Sequence, residues 1–147
     1  MIKLTQQSDL NSPKEYDKIF FERQKKGVDE HDVRRWKRLL KYYKGGYIAD
    51  LGCLDSGIPN LMSDSEWYPA AKYFGVDLAE KALRRMGEMY PYHNFCVGDL
   101  YNVQSNNGFF YYAVLGEVLE HLERPDDAIK EAMRILKPGA VLAISTP

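Results

Sequence analysis

The sequence predicts an α/β fold, a doubly wound and mostly parallel sheet with helices on both faces. Three observations carry this. Short apolar runs ending on an acid recur at Ile48-Ala49-Asp50, Phe74-Gly75-Val76-Asp77 and Phe95-Cys96-Val97-Gly98-Asp99. Strand-like and helix-like segments alternate from residue 47 onward, the pattern of parallel strands joined by crossover helices. Gly52 stands two residues past Asp50, where a strand tip turns into a ligand cradle. The arrangement is Rossmann-like. Residues 1–46 read as a helical extension and residues 47–147 as the sheet domain.

Residues 1–11 are polar and expected to be loose. Ser12-Pro13-Lys14-Glu15 starts a helix with a Ser cap and Pro in the first turn, and Tyr16, Ile19 and Phe20 give it an apolar face that Gly27 ends. A second helix is predicted over 29–43, burying Val33, Trp36, Leu39, Leu40 and Tyr43. Its other side carries Arg34, Arg35, Lys37, Arg38 and Lys41, read as a solvated face. Gly45-Gly46 closes it. Strands follow at 47–51, 72–77, 94–98, 109–115 and 140–145. Helices are expected near Pro59, over 79–89 and over 125–136, with a turn at Asn106-Asn107-Gly108 and a break at Lys137-Pro138-Gly139. Between Met62 and Pro69 the sequence turns polar, so the helix after the first strand is expected to be short.

With 147 residues the chain is long enough for one domain with a real core. A net charge of −1 gives no electrostatic support to a nucleic-acid partner. No apolar run is long enough to span a bilayer, and Met1-Ile2-Lys3 does not open a secretory signal. Cys53 and Cys96 form no Cys-x-x-Cys pair, which fits reduced thiols in a cytoplasmic protein. His93 and His31 read as surface histidines. Acids at three converging strand tips suit ribose hydroxyls, an adenine amine or a cationic ligand better than a phosphate.

The ordered set Asp50-Leu51-Gly52-Cys53, Gly75-Val76-Asp77-Leu78, Gly98-Asp99-Leu100, Gly116-Glu117-Val118-Leu119-Glu120-His121-Leu122 and Arg134-Ile135-Leu136-Lys137-Pro138-Gly139 resembles the class I S-adenosylmethionine-dependent methyltransferases. The resemblance implies that Asp50, Gly52 and Cys53 hold the methionine part of the cofactor, largely through backbone groups. It implies that Asp77, followed by Leu78, accepts from the ribose hydroxyls. Asp99 and Leu100 would flank the adenine, and Leu115, Gly116 and Glu117 would floor the sulfonium. A nicotinamide-dependent dehydrogenase shares such a sheet but needs Gly-x-Gly-x-x-Gly, and Leu54 stands where the second glycine would be.

The chain departs from the family at the same place. Where the family commonly has Gly-Cys-Gly-x-Gly, this chain has Gly52-Cys53-Leu54-Asp55-Ser56-Gly57. It also ends at Pro147, at the tip of the fifth strand. The family sheet normally continues with two further strands, so the domain over 47–147 is expected either to be truncated at its C-terminus or to cover this apolar sheet edge in a homodimer. Glu117, Glu120 and His121 have a spacing that puts them on one face if a helix follows the strand, where they could bind a divalent metal. His121 is also the candidate base. The reading is a methyltransferase acting on an O, N or C nucleophile, with a small-molecule acceptor expected. The rival is a non-catalytic module that associates through its open edge.

Overall fold

The computed structural model describes residues 12–63 and 72–147, so residues 1–11 and most of the polar segment before Pro69 lie outside the described residues. Five strands form one sheet: β1 (Ile48–Leu51), β2 (Tyr73–Asp77), β3 (Asn94–Val97), β4 (Phe110–Gly116) and β5 (Leu136–Ser145). Their order is β3-β2-β1-β4-β5, and every pairing is parallel. The chain runs from β1 outward to β3, then returns across β1 to place β4 on its other side. The strand order therefore reverses between β1 and β4, and a crevice opens beyond their C-terminal ends.

The helices are α1 (Pro13–Lys26), α2 (Glu30–Leu39), α3 (Ile58–Ser63), α4 (Glu80–Met89) and α5 (Pro125–Ile135). Ser12 caps α1 by accepting from the Glu15 amide, and Gly27 ends it with φ of 77°. Asp29 caps α2 in the same way through the Asp32 amide. That helix stops at Leu39, short of the predicted end, and a turn carries Leu40 and Tyr43 into the core. Pro at the first position starts α5, where a missing N–H loses nothing.

Strand alternation divides the core. Ala49, Leu51, Val76, Ala113 and Leu115 pack against α5 through Ala128, Ala132 and Ile135. On the opposite face Ile48, Tyr73, Tyr112 and Val114 pack against Trp36, Leu39 and Leu40 of the α2 region and Ile58 and Met62 of α3. A smaller cluster joins Phe20 of α1 to Ala79, Ala82 and Met86 at α4. The carboxylate of Asp17 strengthens that junction by accepting from the Ala82 amide at 2.9 Å. The sheet is thus covered on both faces, and the N-terminal helices add to the layer that carries α3 and α4.

Two further expectations change. The break at Lys137-Pro138-Gly139 is not a loop: β5 begins directly at Leu136, with a register irregularity between Phe110 and Tyr112 on its neighbour. Pro138 falls within that irregularity, between Leu136 and Val141, where no ladder pairing needs its donor. His93 is not a surface residue but is 8% exposed, with Nε2 2.9 Å from both Ser63 Oγ and the Pro59 carbonyl. It packs edge-on against the rings of Tyr73 and Tyr90, which draws it inward. Arg134, in the last of the resembling motifs, braces the fold. It donates to the carbonyls of Val103 and Ser105, to Asn107 and to Glu131, fastening α5 to the loop before β4.

Candidate functional site

A cavity of about 800 Å³ fills the crevice beyond β1 and β4. This lies near the top of the range of roughly 300–1,000 Å³ that holds small ligands. Asp50, Gly52, Cys53, Asp77, Leu78, Asp99, Leu100, Gly116 and Glu117 all line it, as do Glu120 and His121. Leu115 does not: it is fully buried in the α5-side core, and its neighbours Val114 and Gly116 supply the lining. Side-chain alternation along β4 sends Leu115 to the other face.

The turn after β1 sets the floor. Gly52 has φ of 77°, and a Cβ there would sit 2.6 Å from Val118, so no other residue fits this close approach. The amides of Gly52 and Cys53 both donate to the Val76 carbonyl, at 2.7 and 3.2 Å. Those two donors are committed to the fold. Leu54, in the place of the family's glycine, has φ of 29° and packs against the Phe20–Ala82–Met86 cluster. Its bulk therefore anchors α1 to the loop. Arg23 of α1 adds an ion pair to Asp55 at 3.0 Å.

Asp50 and Asp77 are the buried acids of the site. Asp50 Oδ2 accepts from the Tyr73 hydroxyl at 2.8 Å. Burial pushes its carboxyl up to about 6; the Ser56 and Tyr73 hydroxyls oppose that shift, and the Asp77 carboxylate adds to it. No cation is among these influences. Asp77 accepts from the amides of Leu54 and Ala79, both at 3.0 Å, which binds the glycine loop to the start of α4. Burial, opposed by these amides, leaves its carboxyl above the usual range. Asp99 accepts from the Tyr101 amide at 2.8 Å and reaches the cavity from the adjacent tip. Two enclosed carboxylates, with no cation among the groups that shift either one, form an acceptor set suited to hydroxyls and positive charge.

Glu117, Glu120 and His121 share the cavity rim but do not converge as metal ligands. Glu117 turns off β4 with φ of 56°, and a 3-10 turn over Leu119–His121 replaces the expected α-helix. That geometry removes the common face which the spacing implied. His121 Nε2 is 3.8 Å from Glu120 Oε1, and its side chain is 53% exposed. Among the described residues, ligand atoms gather only at Asp29, His31 and Asp32. There Asp29 already caps α2 and Asp32 pairs with Arg35.

The α2 wall holds residues that sequence patterning assigned to the core or to solvent. Trp36 and Leu39 line the cavity as well as the core, and Arg35 lines it rather than joining a solvated face. The signal was present in the spacing: Asp32, Arg35, Trp36 and Leu39 fall on one helical face.

The fold agrees with what comparisons find. A protein of Mycolicibacterium smegmatis named a "probable S-adenosylmethionine-dependent methyltransferase" is 26% identical over 112 residues, covering 76% of this chain and 42% of that protein. The demethylmenaquinone methyltransferase of Chlamydia muridarum is 32% identical over 103 residues, 69% of this chain and 44% of its own length. The chain thus spans less than half the length of either relative. The complex between the Haloferax volcanii Trm112 methyltransferase activator and a methyltransferase contains a chain that superposes with a TM-score of 0.76 at 19% identity, over 90% of this chain and 60% of that one. No described helix is long and apolar enough to cross a membrane. The methyltransferase-domain family matches residues 49–144, and this chain belongs to the class I S-adenosylmethionine-dependent methyltransferases.

Proposed function

We propose that this domain binds S-adenosylmethionine in the cavity and transfers its methyl group to an oxygen, nitrogen or carbon nucleophile of a small-molecule acceptor. The observation that carries the reading is the pair of buried carboxylates, Asp50 and Asp77, aimed at the strand-reversal crevice with no cation beside them. When bound, the cofactor supplies a methyl group already activated by the sulfonium. The chain's own residues bind, orient and desolvate. Asp77, held rigid by two amides, offers its remaining lone pairs to the ribose hydroxyls. Asp99 and Leu100 border the adenine slot. Asp50, steadied by Tyr73, lies toward the positive end of the ligand. Val114, Trp36 and Leu39 exclude water from the far side, which favours an in-line displacement by alignment and desolvation. His121, exposed at the rim, is the candidate to take the acceptor's proton.

No step is assigned to a metal. The scaffold reading is less well supported, because a cavity of about 800 Å³ remains although Leu54 lines it, with Leu54 also packed against the α1–α4 cluster. Calorimetric titration with S-adenosylmethionine tests the proposal: micromolar binding supports it, and the absence of both heat and thermal shift would overturn it.

A further inference from the structure

All five strands run the same way, so their N-terminal ends share one end of the sheet, opposite the cavity. Among the described residues four tyrosines are exposed, and all four lie at that end. Tyr42 and Tyr47 stand in the chain entering β1, Tyr92 just before β3, and Tyr111 at the start of β4. Lys41 and Lys44 precede β1, Lys72 precedes β2, and Lys137 lies at the start of β5. The stretches that enter the strands, 40–47, 72–73, 90–94, 106–111 and 136–140, contain no acid. Glu88, the nearest acid before β3, is paired with Arg85. Asp50, Asp77 and Asp99 close the opposite ends of the strands, so the molecule is polarised along them.

Contacts tie this end together. The Tyr111 amide donates to the Tyr47 carbonyl at 2.9 Å, and the Tyr111 ring lies so close to Gly46 that a Cβ there would sit 2.7 Å from it. Lys137 Nζ is 4.9 Å from the centre of the Tyr111 ring, and Lys41 Nζ is 5.2 Å from that of Tyr42. Tyr47 stacks on Phe109 with ring centres 4.8 Å apart. Among the described residues no carboxylate pairs with Lys41 or Lys137. The patch therefore suits an anionic surface, and its geometry decides which kind. Single-stranded nucleic acid binds such patches by stacking bases on open ring faces, whereas ammonium groups, Gly46 and Phe109 already cover faces of these three rings. Tyrosine beside lysine fits the headgroup layer of a membrane. There the ring body enters the apolar boundary, the hydroxyl stays hydrated and the ammonium groups meet acidic headgroups.

We propose that this end of the domain docks on an anionic membrane surface, with Tyr42, Tyr47 and Tyr111 in the headgroup layer and Lys41 and Lys137 against acidic headgroups. The inference is independent of what the cavity binds. Docked in this way, the domain turns its cavity away from the bilayer and keeps it open to ligands dissolved in water.

Co-sedimentation with lipid vesicles tests it. Wild type should bind vesicles of phosphatidylcholine containing about one third phosphatidylserine, should not bind vesicles of phosphatidylcholine alone, and should release the acidic vesicles as salt is raised. Lys41→Gln combined with Lys137→Gln should lower the partition coefficient about twenty-fold, about five-fold for each lysine. Tyr42→Ser combined with Tyr111→Ser should lower it as well. Lys130→Gln, on the exposed side of α5, should leave it unchanged. These side chains lie outside the core, and thermal melts report that each variant is folded. Failure of wild type to bind acidic vesicles, equal binding to both kinds of vesicle, or a folded lysine double variant that binds like wild type overturns the proposal. So does binding of oligouridylate, lost on the same lysine exchange, without binding of vesicles, which would assign the patch to nucleic acid.

Discussion

The Tyr73 hydroxyl donates to Asp50 Oδ2 at 2.8 Å between adjacent strands, beneath the site. Both residues are enclosed, Tyr73 completely and Asp50 to within 3%. The phenol therefore holds the carboxylate in one orientation and supplies part of the solvation that burial removes. Tyr73→Phe should destabilise the domain by about 1–2 kcal/mol, the effect of leaving an enclosed acceptor short of a partner. It should also raise the Asp50 carboxyl further. Urea denaturation checks the first effect, and NMR titration of the carboxyl carbon checks the second.

The raised Asp50 carboxyl makes stability depend on pH with a definite sign. Its folded value of about 6 exceeds the unfolded value near 3.9, so the native state binds more protons between the two. The contribution of this group is greatest below about pH 4. It declines by about 2–3 kcal/mol as pH rises to about 6 and is level above that. Asp50→Asn should remove that slope from a series of denaturation curves.

The same carboxyl ties cofactor affinity to pH in the opposite sense. A cation beside it favours the ionised form, so S-adenosylmethionine should bind more tightly as pH rises through about 6. At about pH 5.5, within that window, binding should release a proton. Calorimetry in two buffers of different ionisation enthalpy measures that release, and identical heats would contradict it.

Asp77→Ala removes the acceptor of two backbone amides as well as the assigned ribose contact. It should abolish S-adenosylmethionine binding and lower stability by about 1–3 kcal/mol. Survival of affinity in a folded variant would show that the ribose lies elsewhere.

Magnesium or manganese should leave the melting temperatures of wild type and Glu120→Ala alike, because Glu117, Glu120 and His121 do not converge. A metal-dependent rise in wild type alone would restore the ligand set that the spacing implied.

The strand tips were the most legible part of this molecule. Apolar runs closing on Asp50, Asp77 and Asp99 located three walls of the cavity, and the caps at Ser12 and Gly27 located α1. What escaped was geometry that sequence spacing does not encode. One left-handed residue, Glu117, followed by a 3-10 turn, undid a face that an α-helix would have made. A one-residue strand phase moved Leu115 to the far side of the sheet. His93 and Arg35 were misplaced for a related reason: polar residues were assigned to solvent, whereas local partners drew each inward. Leu54, visible in the sequence only as a departure from the family's glycine, packs against the α1–α4 cluster.

That packing direction has a thermodynamic corollary. Leu54 and Asp55 join the ligand loop to α1, and Asp17 joins α1 to α4. Docking of the first helix and occupancy of the cleft are then linked quantities, and whatever favours one must favour the other by an equal free energy. Replacing a helix that lies outside the family-matching region would then change nucleoside affinity without touching a single strand.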